Sequence, residues 1–180
     1  KIIEFCLNNI GTTYARKGDC DMALEYFNRS LKINEELGEK SRLMLNLNNI
    51  GVMYSAKGDY DKALVFLNRS LEINEDLGNK WDIGKTLLNI GNMYLYKGEY
   101  KKAVNAIEKS LTIQKEIGVK AGQLNTIANL YLCYKHLGEN YEEEEIHSLI
   151  KEEDSKYINF ELNLSLYQLL NETSYLETAY

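Results

Sequence analysis

Proline is absent from all 180 residues, tryptophan occurs once and histidine twice. Without proline nothing kinks a helix interior or removes a backbone donor, so the punctuation of the chain falls to glycine. Long apolar runs are missing too. No stretch reaches the roughly 18 consecutive apolar residues that mark a membrane-spanning helix. A basic surplus is also lacking: 21 Lys and Arg stand against 27 Asp and Glu, for a net charge of −6 and a pI near 5.1. With no basic stripe, nucleic acid and anionic membrane are not expected partners. The three cysteines, Cys6, Cys20 and Cys133, form no CxxC or other metal-ligand spacing. With no signal peptide, they read as reduced thiols in a cytoplasmic protein. Cys6 and Cys133 are expected as small apolar residues on buried helix faces. His136 and His147 fall on different helices, no Gly-rich phosphate loop follows a strand, and Asp59 and Asp61 lack metal-loop spacing. No catalytic residue, no metal and no cofactor is therefore expected.

What the chain has is a repeat. GVMYSAKGDYDKALVFLNRSLEINEDLG at 51–78 matches GTTYARKGDCDMALEYFNRSLKINEELG at 11–38 in 17 of 28 positions. A third copy, GNMYLYKGEYKKAVNAIEKSLTIQKEIG, occupies 91–118, and a weaker fourth starts near Tyr131. A period of forty means an array of like units stacked on one another.

Apolar residues recur at three- and four-residue spacing, which predicts helices throughout. Ile3, Leu7, Ile10 and Tyr14 share one face of the first. Gly18 suits the left-handed conformation that ends a helix, and Asp19 suits the cap of the next. The second helix runs from about Cys20 to Leu37, with Ala23, Phe27, Ser30, Leu31 and Ile33 inward and Gly38 as its stop. The plan repeats with breaks at Gly58 and Gly98 and stops at Gly78 and Gly118. Gly11, Gly51 and Gly91 sit inside helices, where glycine costs about 1 kcal/mol against alanine. Close backbone approach explains them, with Gly11 facing Ala23, Gly51 facing Ala63 and Gly91 facing Ala103. Tyr14, Tyr54, Tyr94 and Tyr134 recur as large packing residues.

The pattern N-I-G-x-x-Y-x-x-K-G-[DE]-x-x-x-A-[LV] resembles the tetratricopeptide repeat over about residues 1–138. The family's usual early Trp is absent, and Glu35, Glu75 and Lys115 stand where its usual Pro ends the second helix. The second helix can then run on, which fits a period of forty. This longer form is similar to the repeats of Pins-type scaffolds, kinesin light chains and prokaryotic multi-repeat proteins. The resemblance implies an all-α, right-handed superhelical solenoid of antiparallel helical hairpins, with the first helix of each hairpin lining the inner surface. The units are expected at about 1–40, 41–80, 81–120 and a divergent 121–154, with a partial fifth hairpin at 155–180. In the fourth unit Tyr131 replaces the glycine and Glu143 the alanine, the turn at 138–141 carries an extra residue, and Glu142–Glu145 is an acidic run at a helix start. Its helices are expected further apart or at a different angle. A last helix is expected over Tyr157–Leu170, with Ile158, Leu162, Leu166 and Leu170 on one face. The chain opens on Lys1 and stops at Tyr180 within a helical pattern, and so reads as a piece of a longer protein.

Asn9, Asn49, Asn89 and Asn129 fall at one phase of four successive first helices, and Asn8 and Asn48 precede two of them. An amide side chain carries both donor and acceptor, as a peptide unit does. A row of them can hold an extended peptide without reading its sequence. In the resembling scaffolds, asparagines at this place bind the target in that way. The other reading is that they bond neighbouring helices. Thr12, Arg16, Lys85, Asn92 and Tyr96 complete the candidate peptide-binding set. The same inner wall offers Phe5, Leu45, Val52, Ser55, Leu88, Leu95, Asn125, Leu132, Lys135 and His136. The chaperone-binding carboxylate clamp of the family is matched only at Asn49 and Lys85, with Asn8, Thr12 and Asn89 differing from it. The expected function is a scaffold binding a partner's extended peptide or helix. The alternatives are a structural spacer or self-association segment, whose groove its own end or a second copy would fill, and a sensory module of a larger signalling protein.

Overall fold

Glycine does set the punctuation. Gly18, Gly38, Gly58, Gly78, Gly98, Gly118 and Gly138 all take φ between 64° and 77°, the left-handed region that glycine enters at no steric cost. At the end of the second helix, Glu39 N–H donates to Asn34 C=O across Gly38, and Asn79 N–H to Asn74 C=O across Gly78. These six-to-one bonds satisfy carbonyls that the helix end would otherwise leave unpaired. At the starts of the second helices, the side chains of Asp19 and Asp59 accept from Met22 N–H and Lys62 N–H.

The resulting elements, in a computed structural model that describes residues 2–119, 123–142, 144, 146–148 and 160–170, are helices throughout. They are α1 (Ile2–Arg16), α2 (Cys20–Leu37), α3 (Lys40–Ala56), α4 (Tyr60–Leu77), α5 (Lys80–Tyr96), α6 (Tyr100–Glu116), α7 (Gln123–Leu137) and α8 (Phe160–Leu170). α1, α3 and α5 each pair antiparallel with the helix that follows, and the hairpins stack into the all-α solenoid that the repeat predicts.

The glycines inside α1, α3 and α5 mark the tight crossings. A Cβ on Gly11 would stand 2.7 Å from the Phe27 ring, and one on Gly51 would stand 2.8 Å from Leu67 Cγ and 3.3 Å from Ala63 C=O. The alanine is thus met through its backbone, and the side chain filling the space is the large residue one turn on: Phe27, Leu67 or, opposite Gly91, Ile107.

Polar pins fix the stacking. Ser30, Ser70 and Ser110 are fully buried and donate to the carbonyls of Glu4, Met44 and Gly84 within their own hairpins. Asn34 Nδ2 donates to Asn46 Oδ1 (2.6 Å), Asn74 Nδ2 to Thr86 Oγ1 (3.2 Å) and Gln114 Nε2 to Thr126 Oγ1 (3.0 Å), each joining one hairpin to the next. At the first junction the carboxylate of Glu4, 1% exposed, pairs with the Arg42 guanidinium. Outside, Lys57 reaches Asp21 and Lys97 reaches Asp61 across successive hairpins.

Three expectations are corrected. Ile3 and Ile10 of α1 are exposed, and its buried face is Glu4, Leu7 and Gly11. Cys6 is exposed as well, although Cys133 is fully buried. The cause is the same for these three residues of α1. Ile50 and Ile90, forty and eighty residues after Ile10, are buried against a preceding second helix, and no described helix precedes α1. The turn after α7 is longer than one extra residue, since 138–142 all lie outside helix. The spacing of the fourth hairpin, Ile158, half of the acidic run (Glu143 and Glu145) and the partial fifth hairpin lie outside the described residues.

Candidate functional site

The first helices of the second, third and fourth hairpins, α3, α5 and α7, present one turn each to a common groove of about 580 Å³. Val52 and Ser55 come from α3, Leu95 and Tyr96 from α5, and Leu132 and His136 from α7. All six belong to the wall expected from helical phase. Two contributors were not visible that way. Tyr60 and Tyr100, the first residues of α4 and α6, lean over the rim. There Tyr60 packs on Tyr96 with centroids 5.5 Å apart, and Tyr100 stacks on His136 at 4.4 Å with rings 4° from parallel. The forty-residue spacing of Tyr60 and Tyr100 was a usable signal, but cap positions are easily read as mere turn chemistry.

The second contributor is α8. Leu162, Leu166 and Leu169 are buried against Leu124, Ile127, Ala128 and Ile146, so α8 lies along α7. It turns Leu164, Ser165 and Gln168 into the groove as an end wall. Lys135 Nζ donates to the carbonyls of Gln168 and Leu169, both at 2.8 Å, a cation at the negative end of a helix. Leu170, expected on the buried face, is half-buried, and Leu169 takes its place.

The asparagines lie beside this pocket rather than in it. Asn49 Nδ2 donates to Asn8 Oδ1 and Asn89 Nδ2 to Asn48 Oδ1, both at 3.2 Å. Each first helix is thus tied to the one before. Asn49 and Asn89 are half-buried, Asn48 and Asn92 are 9% and 8% exposed, and Asn9 is exposed. Asn129, 4% exposed, donates to Asn92 Oδ1 at 2.9 Å and accepts from Ser165 Oγ at 2.8 Å, so α8 covers it. Thr12 turns its hydroxyl back to Asn8 C=O. Arg16 and Lys85 are exposed. Of the candidate binding set, Tyr96 alone lines the pocket.

Among the described residues no group of His, Cys, Asp and Glu is placed to hold a metal ion. Burial pushes the Cys133 thiol up to about 12, which leaves it protonated and a poor nucleophile. No helix among the described residues is long and apolar enough to cross a membrane.

Comparison with known proteins agrees with this architecture. The sequence model of the tetratricopeptide repeat matches residues 4–76 and 44–116. No curated protein matches the chain. Among solved structures, the chain is similar to BtubC (BKLC) of P. vanneervenii, with 20% identity and a TM-score of 0.72 over 83% of this chain and 61% of that one. The apo form of RapI matches at 19% identity and TM-score 0.77 over 98% of this chain and 51% of that one. A Rap protein complexed with Competence and Sporulation Factor matches at 18% identity and TM-score 0.77, again over 98% and 51%. The chain therefore spans between half and three fifths of the length of these relatives. With the family model covering two overlapping pairs of units and the hairpins stacked as the sequence period requires, this chain belongs to the tetratricopeptide repeat family.

Proposed function

We propose that the chain binds a segment of a partner protein, as an extended peptide or a helix, in its concave groove. The tetratricopeptide fold supports protein-interaction scaffolds in general, and the observation that carries the reading here is the composition of the groove. Val52, Leu95 and Leu132 offer an apolar floor, two aromatic pairs form the rim, and Ser55, Ser165 and Gln168 offer hydrogen-bonding groups. The solved Rap protein in complex with Competence and Sporulation Factor shares the fold. The asparagine row at Asn9, Asn49 and Asn89 continues the groove towards the first hairpin and holds the ligand backbone. Asn129 takes no part while α8 covers it. Two buried apolar anchors contribute about 1.5–3 kcal/mol each and each amide bond roughly 0.5–1.5 kcal/mol. Against the ordering cost of a flexible peptide, micromolar affinity follows.

A second reading, a spacer or self-association segment, is favoured by one observation: Ser165 of the chain's own last helix is bonded to Asn129. Capture of partners from the source organism separates the two. It compares the wild-type chain with Val52→Lys/Tyr96→Ala, after equal helicity and melting have been established. A partner retained by the wild type and lost from the folded variant carries the groove reading. Partners retained by both remove the groove, and no partner with either puts the spacer reading first.

A further inference from the structure

The second helices carry a pocket of their own on the outer face, and the repeat shows how it arises. In the first hairpin Tyr14 stacks on Tyr26, with centroids 5.6 Å apart and planes 8° from parallel. In the second, Tyr54 stacks on Phe66 at 5.5 Å and 11°. Forty residues on, the tyrosine is kept as Tyr94 but the ring is gone, and Ala106 stands in its place. The vacated space is a pocket of about 420 Å³ between α4 and α6, floored by Leu87, Ile90 and Tyr94. Its mouth has changed with it. Lys101 stands where the earlier hairpins carry Asp21 and Asp61, and Asn105 where they carry Glu25 and Val65. Lys102 and Lys109 complete the rim. Lys102 lies 5.4 Å over the Tyr94 ring and pairs with Glu99. Among the described residues no ion pair engages Lys101 or Lys109.

The lost ring and the two changes at the rim fall on one pocket. We propose that this outer pocket binds an aromatic side chain of a partner polypeptide whose neighbouring residues are acidic. The incoming ring stacks on Tyr94 in the place that Phe66 fills one hairpin earlier. Carboxylates on either side of it meet Lys101 and Lys109, where complementary charge sets orientation and speeds encounter. The chain as a whole is acidic, which favours a single anchored side chain over nucleic acid, whose binding needs an extended basic surface. The site is independent of the concave groove and goes beyond the reading given above.

The test uses the whole chain and the pentapeptide Asp-Glu-Phe-Asp-Glu, capped at both ends, followed by calorimetry and NMR. Saturable binding is expected, weakening as salt is raised. Affinity should fall about tenfold when the peptide's Phe is replaced by Ala, the worth of one stacked ring. Ala106→Phe restores the stack of the second hairpin and should keep the fold while abolishing binding. Lys101→Asp, the residue of the earlier hairpins, should weaken binding and flatten its salt dependence, and it serves if Ala106→Phe fails to fold. Shifts centred on the Ala106 methyl and the Tyr94 ring support the proposal. Absence of saturation, equal binding of the Phe-free peptide, or binding unaffected by Ala106→Phe overturns it. Shifts centred on Val52 and Leu95 overturn it too, and leave the concave-groove reading standing.

Discussion

The amide of Asn89 donates to the side-chain oxygen of Asn48 at 3.2 Å, joining the first helix of the third hairpin to that of the second. Asn48 is nearly buried, whereas Asn9, at the phase of Asn89 in the first hairpin, is exposed. Asn48→Ala should therefore cost about 0.5–1.5 kcal/mol, and Asn9→Ala should change stability by less than about 0.5 kcal/mol. Urea unfolding of both variants checks this. Equal losses would show that the row contributes to stability independently of this bond.

The crossing of α3 over α4 leaves no room at Gly51, where an added Cβ would meet Leu67 Cγ at 2.8 Å. Gly51→Leu should destabilise by about 1–3 kcal/mol through overpacking. Gly84 is the internal control. Its Cβ would meet Ile113 Cγ2 at 3.3 Å, a contact that a small shift relieves, while alanine gains up to about 1 kcal/mol in helix propensity. Gly84→Ala should come out near neutral or stabilising. A melting temperature unchanged by Gly51→Leu would remove the packing argument.

The pair formed by Glu4 and Arg42 makes an asymmetric prediction. Glu4 is buried and the Arg42 side chain is 40% exposed. Arg42→Ala removes the guanidinium that faces the buried carboxylate and should cost about 2–4 kcal/mol, below the figure for a fully buried pair because water reaches the arginine. Glu4→Met/Arg42→Ala puts at position 4 the residue that the second hairpin has at Met44, and should recover most of that loss. Thermal melts of the single and double variants decide it. A double variant no more stable than the single one would mean that the charge is not the cost.

Alkaline pH should weaken the fold. Burial raises the Cys133 thiol from 9.0 to about 12, and burial together with the bond to Glu108 raises the Tyr134 hydroxyl as well. In both cases the folded chain holds a proton that the unfolded chain releases sooner. Their contribution is complete below the unfolded pKa and is lost as pH rises through the folded one. Melting temperature should be flat from pH 7 to about 9 and then fall, and Cys133→Ala should make that fall shallower. At neutral pH a thiol reagent should modify exposed Cys6 at once and Cys133 only on unfolding.

Much of this molecule was legible in its residues, because a repeat states each structural choice several times. The bounds of α2, the left-handed glycines and six residues of the groove wall all follow from phase. What escaped depended on neighbours. Ile3 and Ile10 look buried from their own helix, and only the absence of a described helix before α1 exposes them. The row at Asn34, Asn74 and Gln114, buried at its first two members and half-buried at the third, repeats at forty and could have been found, but polar residues late in a helix read as solvated. The covering of Asn129 by α8 could not be read, because the forty-residue register stops before that helix begins. Ala106 was overlooked because a missing ring leaves no motif.

Near-identical units carry a hazard of their own, since any hairpin can try to stack on the wrong one. The ion pair at the first junction acts as an address against this. If α5 took the place of α3 on the first hairpin, Asp82, forty residues after Arg42, would face the buried carboxylate of Glu4. If α3 stacked on the third hairpin, Arg42 would meet Gly84, forty residues after Met44, and find no anion. One buried charge thus disfavours two wrong orders of stacking in a chain whose repetition would otherwise permit several.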